Sequence, residues 1–238
     1  LRGNPQSSLL RRELIGVERI VLSEDALASN NKAAAHNREL FRKYGVLTIN
    51  IMSAPGSGKT TLLEHTVKAL ASKYRIGVFE GDLATQKDAD RIRAAGAKAI
   101  QINTQGVCHL DARMVAKVLP QFDLSQFDIV FIENVGNLIC PANYDLGERH
   151  RVALLSVPEG DDKILKYPVM FLKTELVLLN KIDLLPYFEF SVEQAVEDLR
   201  TINPDSRLIP ISTKDGTNLD QWYAWIDEVY AAWKQMVA

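Results

Sequence analysis

Residues 53–61 read Ser-Ala-Pro-Gly-Ser-Gly-Lys-Thr-Thr, and this stretch decides the fold of the chain. An apolar run that predicts a β-strand precedes it and a segment that predicts a helix follows it, which is the context in which such a loop cradles phosphate. Gly56 and Gly58 let backbone N–H groups approach phosphate oxygens closely. The positive end of the following helix faces the same anion. The stretch therefore predicts the P-loop of a nucleotide-binding domain.

Two side chains of this loop are expected to have different roles toward the phosphates. Lys59 supplies a positive charge to the β and γ phosphates, and Thr60 offers its hydroxyl to Mg²⁺. One position departs from the usual G-x-x-x-x-G-K-[ST] pattern, because Ser53 stands where the first glycine is expected. A glycine-rich turn that binds nothing is the weaker alternative. We expect the phosphates to contact Gly56, Ser57, Gly58, Lys59, Thr60 and Thr61.

A second motif selects the base. Asn180-Lys-Ile-Asp183 follows an apolar strand about 120 residues after the P-loop. The carboxylate of Asp183 can accept hydrogen bonds from N1–H and the exocyclic amine of guanine, whereas adenine would leave it unpaired. A site built on such bonds rejects the wrong ligand by roughly 10⁴ to 10⁵. With Lys181 along the base and Ser212-Thr213-Lys214 as a second contacting loop, the sequence predicts binding of GTP and GDP rather than ATP.

Acidic residues at strand ends are the candidates for holding Mg²⁺ and water. In an open parallel sheet, ligands gather beyond the carboxyl ends of the strands. Asp82 and Glu133 each follow or end a predicted strand, so we expect them beside Lys59 in the catalytic site, whereas Asp128 begins its strand and belongs to the opposite edge. Gly136 is placed to sense the γ phosphate through its N–H. No glutamine follows this strand and no arginine finger is identifiable, so slow hydrolysis is expected.

Thiol and imidazole side chains suggest a second, separate metal site. Cys108-His109 lies between a predicted strand and a helix, and Cys140 follows Glu133 by seven residues. Thiolate and imidazole suit nickel, zinc and copper. Three protein ligands leave a four-coordinate ion to be completed by water or a second subunit. On spacing alone, a buried thiol beside a surface histidine is the more common arrangement, but both segments follow strand ends on the nucleotide side.

Alternation of short β-rich runs with helical segments predicts an α/β fold of the P-loop NTPase type, with a mostly parallel seven-stranded sheet flanked by helices on both faces. We predict an N-terminal extension with a helix over residues 1–45 and a GTPase domain over residues 46–238. The last segment predicts an amphipathic helix whose tryptophans pack in the core. The predicted strands are residues 46–52, 75–80, 98–103, 127–133, 151–157, 176–180 and 207–212.

Bulk properties exclude several classes of function. The formal net charge of −2 argues against a general nucleic-acid binder. No apolar stretch approaches the roughly 18 to 20 residues that a membrane span needs, and no export signal precedes the two cysteines. We therefore expect a soluble, cytoplasmic protein with free thiols.

Several blocks together resemble the HypB family of hydrogenase-maturation GTPases, a P-loop family of the SIMIBI class. The resemblance runs from about residue 25 to the C-terminus, and its specific blocks are Cys-His-Leu-Asp at 108–111 and Glu-Asn-Val-Gly-Asn-Leu at 133–138. It implies a GTPase that assists nickel delivery to nickel-iron hydrogenase. It also implies a GTP-dependent homodimer and a nickel-binding accessory protein as partner, with the hydrogenase large subunit reached indirectly.

Carried over motif by motif, the resemblance puts Ni²⁺ or Zn²⁺ on Cys108, His109 and Cys140, and Mg²⁺ on Thr60 with Asp82 and Glu133. Residues 1–45 contain no Cys and only His36, so we expect a delivery switch without a nickel reservoir. The rivals are a urease-type nickel GTPase, which usually carries Cys-Pro-His where this chain has Cys-His-Leu, a P-loop small-molecule kinase, and a GTP-gated scaffold with an incidental metal site.

Overall fold

The computed structural model describes residues 24–82, 87–104 and 106–237. Their core is a sheet of seven strands, all paired in parallel, in the order β3-β2-β4-β1-β5-β6-β7. The strands are β1 Leu47–Ser53, β2 Ile76–Asp82, β3 Lys98–Asn103, β4 Ile129–Glu133, β5 His150–Ser156, β6 Leu176–Asn180 and β7 Arg207–Pro210.

Helices connect the strands and cover both faces of the sheet. They are α1 Glu24–Lys43, α2 Lys59–Leu70, α3 Lys87–Ala95, α4 Ala112–Val118, α5 Lys163–Lys166, α6 Pro168–Phe171, α7 Val192–Ile202 and α8 Leu219–Val237. Short 3-10 turns lie at Leu119–Gln121, Leu124–Gln126, Pro141–Asn143, Val157–Glu159 and Ile182–Tyr187. No described helix combines the length and the apolar character that crossing a bilayer requires.

Period-two side-chain alternation divides the core between the two faces of the sheet. Ile49 and Ile51 of β1 point to the face covered by α2, α3 and α8. On the other face, α1 and α4 cover the half of the sheet around β2 and β4, while α5 to α7 cover the half around β5 and β6. β1 is buried along its whole length and pairs with a strand on each side, so the loop that follows it starts from a firmly held strand.

The expected fold class is confirmed, and each of the seven predicted strands is present within two residues at its ends. The tryptophans of α8, Trp222, Trp225 and Trp233, are buried in the core as predicted. Helix α3 and the short helices α5 and α6 were not specified by the sequence patterns. The first 23 residues lie outside the described part, and the division of the chain at residue 45 stays a prediction.

Helix α1 has few large apolar residues, a composition that favours a helix lying on the surface of the domain or on a partner. It does lie outside the sheet, packed against α4, but one face is fully covered. Phe41 and Ala34 are buried there, together with two polar residues, Asn30 and Asn37. Buried polar side chains therefore form part of the contact between α1 and the rest of the domain.

Candidate functional site

The P-loop leaves the end of β1 and turns directly into α2. Gly56 and Gly58 have φ angles of +73° and +104°, a region that favours glycine. A Cβ at Gly58 would lie 2.5 Å from Nδ2 of Asn180. This glycine is therefore required both by the turn and by the side chain that crosses behind it.

Ser53, the residue that departs from the usual motif, holds the P-loop lysine. Its hydroxyl accepts a hydrogen bond of 2.8 Å from Nζ of Lys59 and donates one of 2.6 Å to the carbonyl of Ala54. Lys59 is buried, and that burial lowers its pKa against the opposing carboxylates of Glu133, Glu159 and Asp88. The ammonium thus lies inside the phosphate pocket and is held by a hydroxyl, which the extra side chain at position 53 supplies.

Thr60 and Glu133 meet at the carboxyl ends of β1 and β4. The Thr60 hydroxyl donates a hydrogen bond of 2.8 Å to Oε1 of Glu133, while Oε2 is buried without a hydrogen-bond partner among the described residues. Burial raises the pKa of Glu133 to about 7, against the pull of Lys59. A hydroxyl beside an unsatisfied carboxylate oxygen fits a hard cation such as Mg²⁺. The backbone of Asp82 ends β2, but its side chain lies outside the described part.

The candidate base-reading residues form one network beside the P-loop. Asn180 donates to the carbonyl of Ser57 at 2.8 Å and accepts from the N–H of Thr213 at 3.0 Å. Lys181 donates to the carbonyl of Gly56 at 2.7 Å. Asn180 therefore joins the P-loop to the loop after β7, two segments that are far apart in sequence.

Asp183 is oriented by the same second loop. Its Oδ1 accepts a hydrogen bond of 2.8 Å from the Ser212 hydroxyl, and its Oδ2 lies 3.5 Å from Nζ of Lys214. The Asp183 side chain is thus fixed from one side. A carboxylate that pairs with a planar base has to be oriented in this way. The structure brings together all the residues that were predicted to read guanine.

A cleft of about 470 Å³ lies over the P-loop. The predicted residues Lys59, Thr60, Glu133 and Gly136 line it. It is also lined by Arg91 of α3, which donates to the Thr61 hydroxyl at 3.2 Å and to Glu64 at 2.6 Å. An arginine therefore does lie in the phosphate pocket, where the sequence identified none, because the helix that carries it was not foreseen.

Glu159 is a second residue that the sequence did not assign to this site. Its Oε1 accepts hydrogen bonds from the hydroxyls of Ser57 and Ser156, both at 2.7 Å. Asp128, by contrast, lies at the opposite edge of the sheet, as expected. Arg75 binds it through its backbone N–H and its guanidinium, which lowers the pKa of the Asp128 carboxyl.

Cys108, His109 and Cys140 come together in a second cluster. Their ligand atoms all lie within 4.8 Å of one another, and the two sulfurs are 3.1 Å apart. Burial and the bond from Cys108 raise the pKa of the Cys140 thiol, while burial lowers that of His109. The His109 ring stacks on Tyr144 with centroids 4.0 Å apart. Cys108 itself is exposed, so the cluster opens to solvent.

Asn134, next to Glu133, connects the phosphate pocket with the cysteine cluster. Its Oδ1 accepts hydrogen bonds from the N–H of Leu110 at 3.1 Å and of Val135 at 3.0 Å. Gly136 lies so near the P-loop that a Cβ there would be 2.9 Å from Cα of Pro55. The segment that begins at Glu133 and reaches Cys140 therefore touches both sites.

Comparison with known sequences identifies the family. The profile described as "CobW/HypB/UreG, nucleotide-binding domain" matches residues 47–210. HypB, the hydrogenase maturation factor of Escherichia coli strain K12, is 51% identical over 203 residues, which span 85% of this chain and 70% of that protein. The chain belongs to the HypB family of hydrogenase maturation factors.

Further members of the HypB family agree with this assignment. The hydrogenase/urease maturation factor HypB of Helicobacter pylori is 40% identical over 91% of this chain and 90% of its own length. The crystal structure of HypB from Helicobacter pylori in complex with nickel superposes with a TM-score of 0.81 at 40% identity, covering 86% of this chain and 96% of that one. The resemblance inferred from the sequence blocks is thus confirmed, and this HypB-family chain has a nucleotide-binding P-loop domain.

Proposed function

We propose that the chain is a GTP-hydrolysing metallochaperone switch that assists nickel insertion into nickel-iron hydrogenase. The observation that carries the proposal is the segment from Glu133 to Cys140, because its first residue faces the phosphate pocket and its last belongs to the cysteine cluster. Family membership supports hydrogenase maturation as the process. The coupling of the two sites is what a switch requires.

On the nucleotide side, the buried groups favour GTP as the ligand and its hydrolysis as the reaction. Asp183, held by Ser212, pairs with guanine, and Lys59 exchanges its Ser53 partner for phosphate oxygens. Thr60 and Glu133, with Asp82 nearby, would hold Mg²⁺, which when bound neutralises charge on the β and γ phosphate oxygens. The free oxygen of Glu133 faces the same pocket and would orient water there.

On the metal side, the cargo is a thiophilic divalent ion, either Ni²⁺ or Zn²⁺. Two sulfurs and one imidazole are the donor types these ions prefer. A metal–sulfur bond of about 2.3 Å lets one ion reach all three ligand atoms without separating the loops. Because Cys108 is exposed, an ion could leave toward a partner without an opening of the fold.

The two sites are connected through Asn134 and Gly136. A γ phosphate that displaced Gly136 from Pro55 would move the segment leading to Cys140. Asn134 would carry the same movement to the loop of Cys108 and His109 through its bond to Leu110. Nucleotide state and metal affinity would then change together.

We further propose the cytoplasm as the location, a GTP-dependent homodimer, and a nickel-binding hydrogenase accessory protein that exchanges metal at the cluster. Exposed apolar side chains flank the metal ligands at Val107 and Ile139, which suits a surface that a protein partner covers. A second subunit or the accessory protein would then supply the remaining ligand.

The decisive experiment is a Ni²⁺ titration of the protein loaded with GDP and then with a non-hydrolysable GTP analogue, followed by thiolate-to-nickel absorption. We expect different nickel affinities in the two states and a reciprocal shift of nucleotide affinity with nickel. The Cys108→Ala/Cys140→Ala double variant is the control and should lose the absorption band.

Equal nickel affinity in both states would contradict the switch and leave a GTPase that acts through a partner. Retained maturation by the double cysteine variant would favour the scaffold alternative. The Helicobacter pylori relative is described as serving urease as well, so complementation of a urease-maturation defect should be measured beside hydrogenase activity.

A further inference from the structure

Helix α1 hydrogen-bonds to both segments that carry the metal ligands, although it lies on the far side of them. Asn30 accepts a bond of 2.8 Å from the N–H of Ala112 and donates one of 2.9 Å to the carbonyl of Asp145. Ala112 begins α4, three residues after His109, and its N–H has no acceptor within its own helix. A single side chain thus joins the segment after His109 to the segment after Cys140.

Asn37, two turns further along α1, repeats the same connection. Its Nδ2 donates to the carbonyl of Ala112 at 2.8 Å and to the carbonyl of Leu146 at 3.0 Å. Both asparagines are fully buried. Two buried amides that each bridge the same pair of segments fix the separation of those segments more tightly than apolar packing does, since hydrogen bonds are directional.

Two more contacts extend this arrangement toward the ligands. Gly147 packs so closely on α1 that a Cβ there would lie 2.6 Å from the carbonyl of Ala34. Nη2 of Arg38 donates to both carboxylate oxygens of Asp145, at 2.7 Å each. Tyr144, the neighbour of Asp145, is the ring on which His109 stacks.

Resting on the proposed metal-handling function, we infer that Asn30 and Asn37 are positioning residues for the metal cluster. They set the distance between the Cys108-His109 loop and the Cys140 segment from behind, without touching the ion. Arg38 reinforces them from the exposed side. Helix α1 is then part of the metal-handling apparatus and not only a covering helix.

The test compares Asn30→Ala, Asn37→Ala and Arg38→Ala with the full chain. Ni²⁺ affinity is measured by thiolate absorption, ligand geometry by the visible bands of bound Co²⁺, and folding by GDP affinity and unfolding temperature. We expect each asparagine variant to weaken Ni²⁺ binding at least 10-fold and to shift the Co²⁺ bands, with GDP affinity within 2-fold. Arg38→Ala, at an exposed site that does not endanger folding, should weaken Ni²⁺ binding about 3-fold.

Asn203→Ala is the matched control, because Asn203 also bridges backbone carbonyls, those of Phe171, Leu172 and Thr174, in another part of the domain. It should lower the unfolding temperature and leave the Co²⁺ spectrum unchanged. Equal effects of Asn203→Ala and Asn37→Ala on Ni²⁺ would overturn the inference, as would unchanged Ni²⁺ binding in all three test variants.

If the asparagine variants do not fold, the result for Arg38→Ala decides. Failure of the proposed function looks different, because the unsubstituted chain would then show no cysteine-dependent nickel band in any nucleotide state. That result would overturn both the function and the inference. A normal nickel band in the unsubstituted chain together with normal bands in the α1 variants would overturn the inference alone.

Discussion

The phosphate pocket and the cysteine cluster lie at the same edge of the sheet, but they are built in opposite ways. In and beside the pocket, Lys59, Thr60 and Asn180 are buried and each already has a side-chain partner. In the cluster, Cys108 is exposed, and the supporting hydrogen bonds come from behind, through Asn134 and helix α1.

This difference corresponds to what each site has to do. Discrimination between bases depends on buried polar groups that the wrong ligand would leave unpaired, so the nucleotide site has to be enclosed and preorganised. A cargo ion has to enter and leave, so its ligands have to stay accessible while their spacing is maintained. Burial of the polar groups makes the nucleotide site selective. Hydrogen bonds from behind the cysteine cluster keep its ligands in place while the ion remains free to leave.

The largest effect is expected from substitution of Lys59, which should change nucleotide binding and leave nickel binding unchanged. Lys59→Ala removes the buried ammonium, so we expect GTP and GDP affinity to fall by about 10³, in line with the roughly 4 kcal/mol that a buried charged contact is worth. Nickel binding by the nucleotide-free protein should not change. Binding of a fluorescent nucleotide and thiolate absorption measure the two quantities. An unchanged GTP affinity would refute the role given to Lys59.

Loss of the Asp183 carboxylate, which we propose pairs with the base, should have a smaller effect on nucleotide affinity and a specific effect on base selectivity. We expect Asp183→Ala to weaken GTP binding by about 100-fold, since hydrogen bonds to a charged group contribute roughly 1.5 to 3 kcal/mol each. ATP binding should stay as weak as before, so the preference for GTP narrows. Competition assays with both nucleotides measure this. Ser212→Ala, which removes the hydroxyl that donates to Asp183 but keeps the carboxylate, serves as the milder comparison.

Removing the Asn134 side chain, which connects the two sites, should leave both sites able to bind their ligands but should weaken the dependence of one on the other. Asn134→Ala deletes the bond to the N–H of Leu110, so the difference in nickel affinity between GDP and GTP-analogue states should shrink by at least about 5-fold, within the usual range of coupling energies. Nickel titrations in the two states measure it. A variant that keeps the full difference would place the coupling elsewhere.

The smallest effect is expected at the opposite edge of the sheet. Asp128→Asn breaks the pair with Arg75, which is a partly exposed contact worth less than about 1 kcal/mol. Because Arg75 lowers the pKa of the Asp128 carboxyl below its ordinary 3.8, the pair stabilises the protein above that value and loses its effect as the pH falls through the folded pKa. Urea unfolding at pH 7 and pH 3 should show this, with both ligand affinities unaltered.

The fold and the nucleotide residues were predictable because they depend on short-range patterns. An apolar run fixes each buried strand, and a motif at a strand end fixes which side chains meet there, so Lys59, Glu133 and Asp183 could be named from sequence alone. The three candidate metal ligands were also named, although spacing alone favoured a buried thiol beside a surface histidine.

The residues that the sequence did not identify either contact partners far away in the chain or lie on a helix that was not predicted. Arg91 lies on α3, whose buried apolar face consists of little more than Ala89 and Ile92, too little to give a clear helical period. Asn30 and Asn37 were not singled out from the sequence, because polar side chains on a helix usually face solvent. Their partners lie 75 to 115 residues away, beyond the reach of any local pattern.

The long span of the α1 contacts also has a consequence for biosynthesis. Helix α1 leaves the ribosome well before Asp145 and Leu146 are made, so its two amides have to wait, hydrated, while the intervening strands are synthesised. Contacts at such separations form late, because the chain between them has to be ordered first. The cysteines of the nascent chain can therefore be held in register only after Asp145 and Leu146 have been made, and a growing polypeptide would be protected from capturing metal before that point.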